Sequence, residues 1–215
     1  MIKTLGSNWK MVVAAGVSLW IGVAPLAAQE VAGPWNMGYA LSFTQPTGDS
    51  TNILENGMGL NFNVAYHQPH RLVGVRFDAL FAGAKLQQSV IDRLDHASEG
   101  NFKMFGGGAS LELSPRSYKF IKPSIYAGPG LYYEHAQATW DEGCDPLFGC
   151  PSGGGDYTTS TLNTTRIGFQ GGAGLAFLFD EGLGAVTLDV QYIHVNNTHS
   201  ALEMIPINIG YKVAF

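Results

Sequence analysis

The amino-acid sequence predicts an all-β fold: an eight-stranded antiparallel up-and-down transmembrane β-barrel behind an export leader. Three observations predict it. The N-terminus is basic and then apolar, eight later segments alternate in hydrophobicity with period two, and the composition is poor in charge but rich in glycine and aromatics.

Lys3 and Lys10 form a short basic region, and Met11 to Leu26 runs 16 residues without a charge before the small pair Ala27-Ala28. This is the layout of a secretory signal peptide, and the run is shorter than the roughly 18–20 residues a spanning helix needs. Residues 1–28 are therefore expected to be a signal peptide and residues 29–215 a single barrel domain. Loss of Lys3 and Lys10 with the leader lowers Lys+Arg from 12 to 10 against 17 Asp+Glu, a net charge of −7. An acidic chain argues against nucleic acid as a partner, which needs clustered positive charge. Charged residues make up 13% of the chain, where a soluble domain carries nearer 25%. The 28 glycines among 215 residues are about twice the usual share of roughly 7%.

Period two means a strand with one greasy and one small or polar face. Trp35, Met37, Tyr39, Leu41 and Phe43 alternate with Asn36, Gly38, Ala40, Ser42 and Thr44; Met58 to Tyr66 and Val73 to Ala82 behave alike. The pattern returns over 105–113, 121–134, 166–179, 186–192 and 205–215. Pro123 and Pro129 interrupt the fifth segment, since each removes a ladder donor. Short links (His67–Leu72, Ser114–Lys119, Asp180–Gly184) alternate with longer ones (Gln45–Gly57, Gly83–Asn101, Ala136–Asn163, Asn196–Met204). That is the rhythm of tight periplasmic turns and long extracellular loops. The bulky face is apolar and the small face carries Gly, Ala, Ser and Asn, which suits a narrow lumen and lipid outside. A soluble barrel would reverse the faces.

With the leader and the eight segments, the closing Ile207-Asn-Ile-Gly-Tyr-Lys-Val-Ala-Phe215 resembles the small outer-membrane β-barrel family of the OmpA/OmpX type. The resemblance spans about residues 35–215. It implies a bacterial outer-membrane location, outer-membrane lipid as surroundings, and an assembly signal at Tyr211 and Phe215 read by the barrel-assembly machinery during insertion. It transfers no catalytic residue. A monomer is expected, with the long loops free to meet a surface partner.

By parity Arg76, Asp78, Glu112, Lys122, Glu134, Arg166, Asp189 and Lys212 point into the lumen, four basic and four acidic. Buried charges must pair, so two ion-pair networks are expected. One joins Arg76, Asp78, Asp189 and Lys212 at similar depth, and the other joins Glu134 and Arg166 nearer the outer rim. They are read as a structural plug, with a narrow pore for ions or small solutes as an alternative. Cys144 and Cys150, within an acidic and aromatic loop, suggest a local disulfide in an oxidising compartment. No metal site or cofactor is expected.

One further segment, Tyr192-Ile-His-Val-Asn-Asn197, is similar to the His-x-Ser-Asn motif of the outer-membrane lipid A deacylases. That resemblance implies lipid-directed chemistry around His194. Asn196 stands where those enzymes have the serine, however, and an amide is no nucleophile. Ser200 and Glu203 lie near at a spacing that does not match. The chain is therefore read as non-enzymatic, with a structural or surface-interaction role and a lipid A-modifying hydrolase as the enzymatic alternative.

Overall fold

The structure, a computed structural model, describes residues 34–68, 71–93, 97–115, 120–141, 157–179, 184–196 and 201–214. Eight strands follow one another: β1 (Trp35–Pro46), β2 (Gly57–His67), β3 (Val73–Lys85), β4 (Ala97–Leu113), β5 (Ile121–Asp141), β6 (Tyr157–Leu178), β7 (Ala185–Val195) and β8 (Leu202–Ala214). Each pairs antiparallel with its sequence neighbours, and β8 returns to β1 over Asn36↔Ala214 to Pro46↔Met204, closing the barrel. Among the described residues no helix is long and apolar enough to cross a membrane.

The two faces separate by parity. Leu41, Phe105, Ile125, Ile167 and Ile209 lie outside and more than half exposed, while Ser42, Asn61, Gln170 and Gln191 inside are no more than 1% exposed. An apolar belt around the whole circumference far exceeds the patch a water-soluble monomer shows. Aromatic rings mark its edge at the end where β1 begins and β8 ends: Trp35 lies 4.9 Å from Tyr66 and Tyr39 6.2 Å from Tyr211, centroid to centroid. Such girdles sit at membrane–water boundaries.

The structure differs from the sequence expectation in strand length on the outer side. β4 begins at Ala97 rather than 105, and β5 and β6 remain paired as far as Asp141↔Tyr157. Much of the expected loop 136–163 is therefore hairpin. These extensions are rich in threonine, which favours strands. Beyond the lipid they have no apolar face to keep, so their sequence shows no alternation.

Proline marks the places where the ladder is broken. β4 pairs with β5 at Gly108↔Gly130 and again at Leu111↔Ala127, with the pairing at Pro129 missing between them. Likewise β7–β8 pairing lapses between Val190↔Ile207 and Ile193↔Met204, around Pro206. Each ring nitrogen has no hydrogen to donate, and each proline keeps its pairing with the strand on its other side.

Inside, the outer half of the lumen is apolar. Leu80, Phe102, Met104, Ile193, Val195 and Met204 pack together beneath Leu54, Leu86 and Ile91 from the connecting segments. Leu54 and Leu86 form a bridge, and Ile91 ends the short helix α1 (Gln88–Ile91). Below this layer the lumen is polar and crowded by Tyr126 and Tyr132. Inward glycines make room for them. A Cβ at Gly106 would overlap the Tyr132 ring, and one at Gly172 would lie 2.6 Å from the Tyr126 hydroxyl oxygen. Gly106→Val is expected to lower the urea midpoint of the detergent-refolded barrel by an overpacking cost of about 1–3 kcal/mol. The outward Gly171→Ala, whose Cβ meets only ordinary contacts, should leave the midpoint nearly unchanged.

Candidate functional site: the plugged lumen and the outer rim

The centre of the lumen is built on Arg76. Its guanidinium lies 2.7 Å from the Asp78 carboxylate on the same strand and 3.3 Å from Asp189 Oδ2 on β7. It also stacks over the Tyr126 ring at 3.8 Å from the centroid, a cation–π contact in a desolvated setting. The Tyr126 hydroxyl donates to Asp189 Oδ1 at 2.7 Å, and Asn208 Nδ2 donates to the same oxygen at 3.2 Å. Gln170 extends the network: its Nε2 donates to Asp78 Oδ2 and Ser110 Oγ, while its Oε1 accepts from Tyr132 and Gln191. Side chains from six strands, β3 to β8, are thereby tied across the barrel.

Burial explains why so many groups converge. Arg76, Asp78 and Asp189 are 4%, 6% and 7% exposed. Taking such ions out of water is costly unless every lone pair and proton finds a partner. Two carboxylates against one guanidinium leave excess negative charge, which the donors Tyr126, Asn208 and Gln170 offset.

Lys212 does not join this layer. It lies one layer nearer the periplasm, 4.0 Å from Glu112 Oε1. Lys122 is half-buried near the same end of β5. Glu134 and Arg166 face inward on adjoining strands, with Thr164 opposite Glu134 and Tyr132 opposite Arg166. Arg166 Nε is buried without an acceptor among the described residues, and Glu134, 7% exposed, lies opposite Met104 of the apolar layer. Cys144, Cys150 and Phe215 lie outside the described residues, as do residues 1–28, the expected signal peptide. Tyr211 belongs to the periplasmic aromatic edge.

At the outer rim a second polar group faces outward. His194 and Glu203 are register partners on β7 and β8. The imidazole Nδ1 lies 3.1 Å from Glu203 Oε1, which also accepts from the Tyr192 hydroxyl at 2.9 Å. His194 Nε2 lies 3.1 Å from Asn196 Oδ1. The carboxylate orients the ring as in an acid–base pair, but the ring's far nitrogen meets an amide. Glu203 also anchors the β1–β2 connection: its N–H donates to Ser50 Oγ at 2.8 Å and its carbonyl accepts from Thr47 N–H at 3.0 Å. Gly48, at φ +56°, brings its Cα against the Glu203 carboxylate, where a Cβ would overlap Oε2.

The residues expected from the sequence to fill the lumen are all charged, so Tyr126, Tyr132 and Asn208 are not among them. Parity alone places Tyr126, Tyr132 and Asn208 there. Arg76→Met, which leaves two buried carboxylates without their cation, is expected to destabilise the barrel by about 3–5 kcal/mol in urea titrations. Adding Asp78→Asn and Asp189→Asn should recover a measurable part of that loss, as a coupled network requires.

No protein-family model matches the chain, and no curated protein matches it. Solved structures do. Neisserial surface protein A (NspA) aligns over 85% of this chain and 98% of its own at 13% identity, with a TM-score of 0.51. A major outer membrane protein from Thermus thermophilus aligns over 84% and 99% at 11% identity, with a TM-score of 0.54. The closed eight-strand sheet, its apolar belt and these likenesses together give the chain the fold of a small transmembrane β-barrel, shared with these bacterial surface and outer-membrane proteins.

Proposed function

We propose that the chain is a non-enzymatic, ion-tight outer-membrane barrel with a structural or surface-interaction role, using its outer loops as the contact surface. The observation that supports this most is the wall-to-wall network around Arg76, lying beneath an apolar layer lidded by Leu54 and Leu86. An ion entering from outside would shed its hydration shell in the apolar layer and then meet side chains already engaged with one another. Eight strands leave an interior just wide enough for side chains to fill. The outer face offers more. The β5–β6 hairpin continues to Asp141↔Tyr157, well past the belt, and carries the acidic and aromatic loop between its strands. In the same reading the chain acts as a monomer, Cys144 and Cys150 are joined at the loop tip, and Tyr211 and Phe215 serve assembly.

The enzymatic alternative gains a partner in Glu203 but lacks a nucleophile, since Asn196 occupies the position beside His194 Nε2. The pore alternative is tested by purified protein in planar lipid bilayers. No steady conductance is expected at either polarity, and reproducible single-channel steps would overturn the ion-tight reading.

A further inference from the structure

Strand β6 is paired unequally on its two sides. On one side β5 accompanies it from Ile121↔Phe177 to Asp141↔Tyr157. On the other, β7 stops early: the register ends at Gly168↔Val195, and the last contact is Asn196 N–H to the Ile167 carbonyl at 3.4 Å. Residues 157–166 therefore form a sheet edge with no backbone partner on the β7 side among the described residues. Only four residues link Asn196 to Ala201, too few to run up this edge and return. At the opposite flank of the protruding sheet the edge is short. β3 accompanies β4 as far as Lys85↔Asn101, and Leu86 N–H continues to the Gly100 carbonyl.

The direction of the free groups follows from Ile167. Its carbonyl points at β7, and residues two apart on a strand point their polar backbone the same way. Thr165, Asn163, Thr161, Thr159 and Tyr157 thus turn N–H and C=O to the empty side, while Arg166, Thr164, Leu162, Ser160 and Thr158 turn theirs to β5. Strand edges in native proteins are guarded against pairing by charge, proline or a bulge. Residues 157–165 contain no charge and no proline, and their register to β5 runs without a shift. Five of them are threonine, which favours strands. Leu162 is 67% exposed and offers an apolar side chain to a cross-strand neighbour. The edge is open to pairing.

The charge around it selects the partner. From Pro123 to Thr165 the chain has no Lys or Arg, but it has Glu134, Asp141, Glu142, Asp145 and Asp156. A second copy would bring the same negative charge to the contact. An extended segment with Lys or Arg at its ends would meet opposite charge instead. We infer that the β6 edge is a docking site for an extended segment of another protein, uncharged and β-prone in its middle and basic at its ends, which adds a strand where β7 stops. This rests on the surface-interaction reading and gives it a surface and a mode, strand addition, in which main-chain hydrogen bonds supply affinity.

Amide hydrogen exchange at residues 157–166, in the full barrel refolded in lipid nanodiscs, tests it. In the free barrel a period-two pattern is expected, with Thr159, Thr161, Asn163 and Thr165 exchanging fast and Thr158, Ser160, Leu162 and Thr164 slowly. Equal rates in the two sets would overturn the inference: both slow means an edge already covered, by this chain or a second copy, and both fast means no paired hairpin. The probe is the peptide Lys-Lys-Thr-Val-Thr-Val-Thr-Lys-Lys. At millimolar concentration it should slow the fast set, and the same peptide with Glu in place of Lys should bind about tenfold more weakly. Thr161→Pro removes one edge donor and leaves the β5 ladder alone. It should keep the mobility of the folded barrel in unboiled SDS samples and lose the peptide. No slowing by the lysine-ended peptide, or equal binding by the glutamate-ended one, refutes the docking site while a contact surface at the loop tip still stands. Ion conductance by the unmodified barrel would sink the ion-tight reading and leave the exchange pattern intact, so the two failures are distinguishable.

Discussion

A bilayer core has no hydrogen-bond partner for a peptide group, and the rest of this structure follows from that constraint. Helices satisfy it within themselves, but none among the described residues is long and apolar enough to do so. A sheet satisfies it only by closing, and closure at eight strands fixes almost everything else. It sends alternate residues to lipid and to a narrow lumen, which is why bulky apolar side chains lie outside and why glycine is so frequent. The same constraint makes Pro129 and Pro206 informative. Each occupies a position where one ladder bond can be omitted without opening the cylinder.

The narrow lumen then sets its own problem. It is too small to hold bulk water around a charge, so Arg76, Asp78 and Asp189 are stable only as members of a network, with Tyr126 serving both as a stacking surface and as a donor. Inward glycines on the facing strands accommodate the two tyrosines that complete it. Above, the lumen changes to an apolar layer capped by residues from the connecting segments. The β1–β2 connection is itself fastened at the rim through Glu203. The polar centre, apolar cap and fastened connection form successive layers along the barrel axis.

The belt was legible in the sequence because lipid enforces period two, and eight segments from Trp35 onward carried it. Strand ends were not legible. Thr158 to Thr161 and Ala136 to Asp141 lie past the lipid, where pairing continues without alternation. Parity placed Arg76, Asp78 and Asp189 inside, since a lone charge in a greasy strand has only one face to occupy. It did not reveal the apolar outer layer, because Met104, Ile193 and Met204 lie just beyond the alternating segments 105–113, 186–192 and 205–215. The contact of His194 with Glu203 depends on register across residues 196–201, which sequence spacing does not define.

The central claim is that the sheet is closed with its apolar face toward lipid. Electrophoretic mobility of the outer-membrane fraction, compared with and without boiling in SDS, tests it most directly, because a closed barrel resists the detergent until heated. A heat-dependent shift of the band in that fraction is the predicted result. A chain found in the soluble periplasmic fraction, with the same mobility before and after boiling, would contradict the account and turn the apolar face inward.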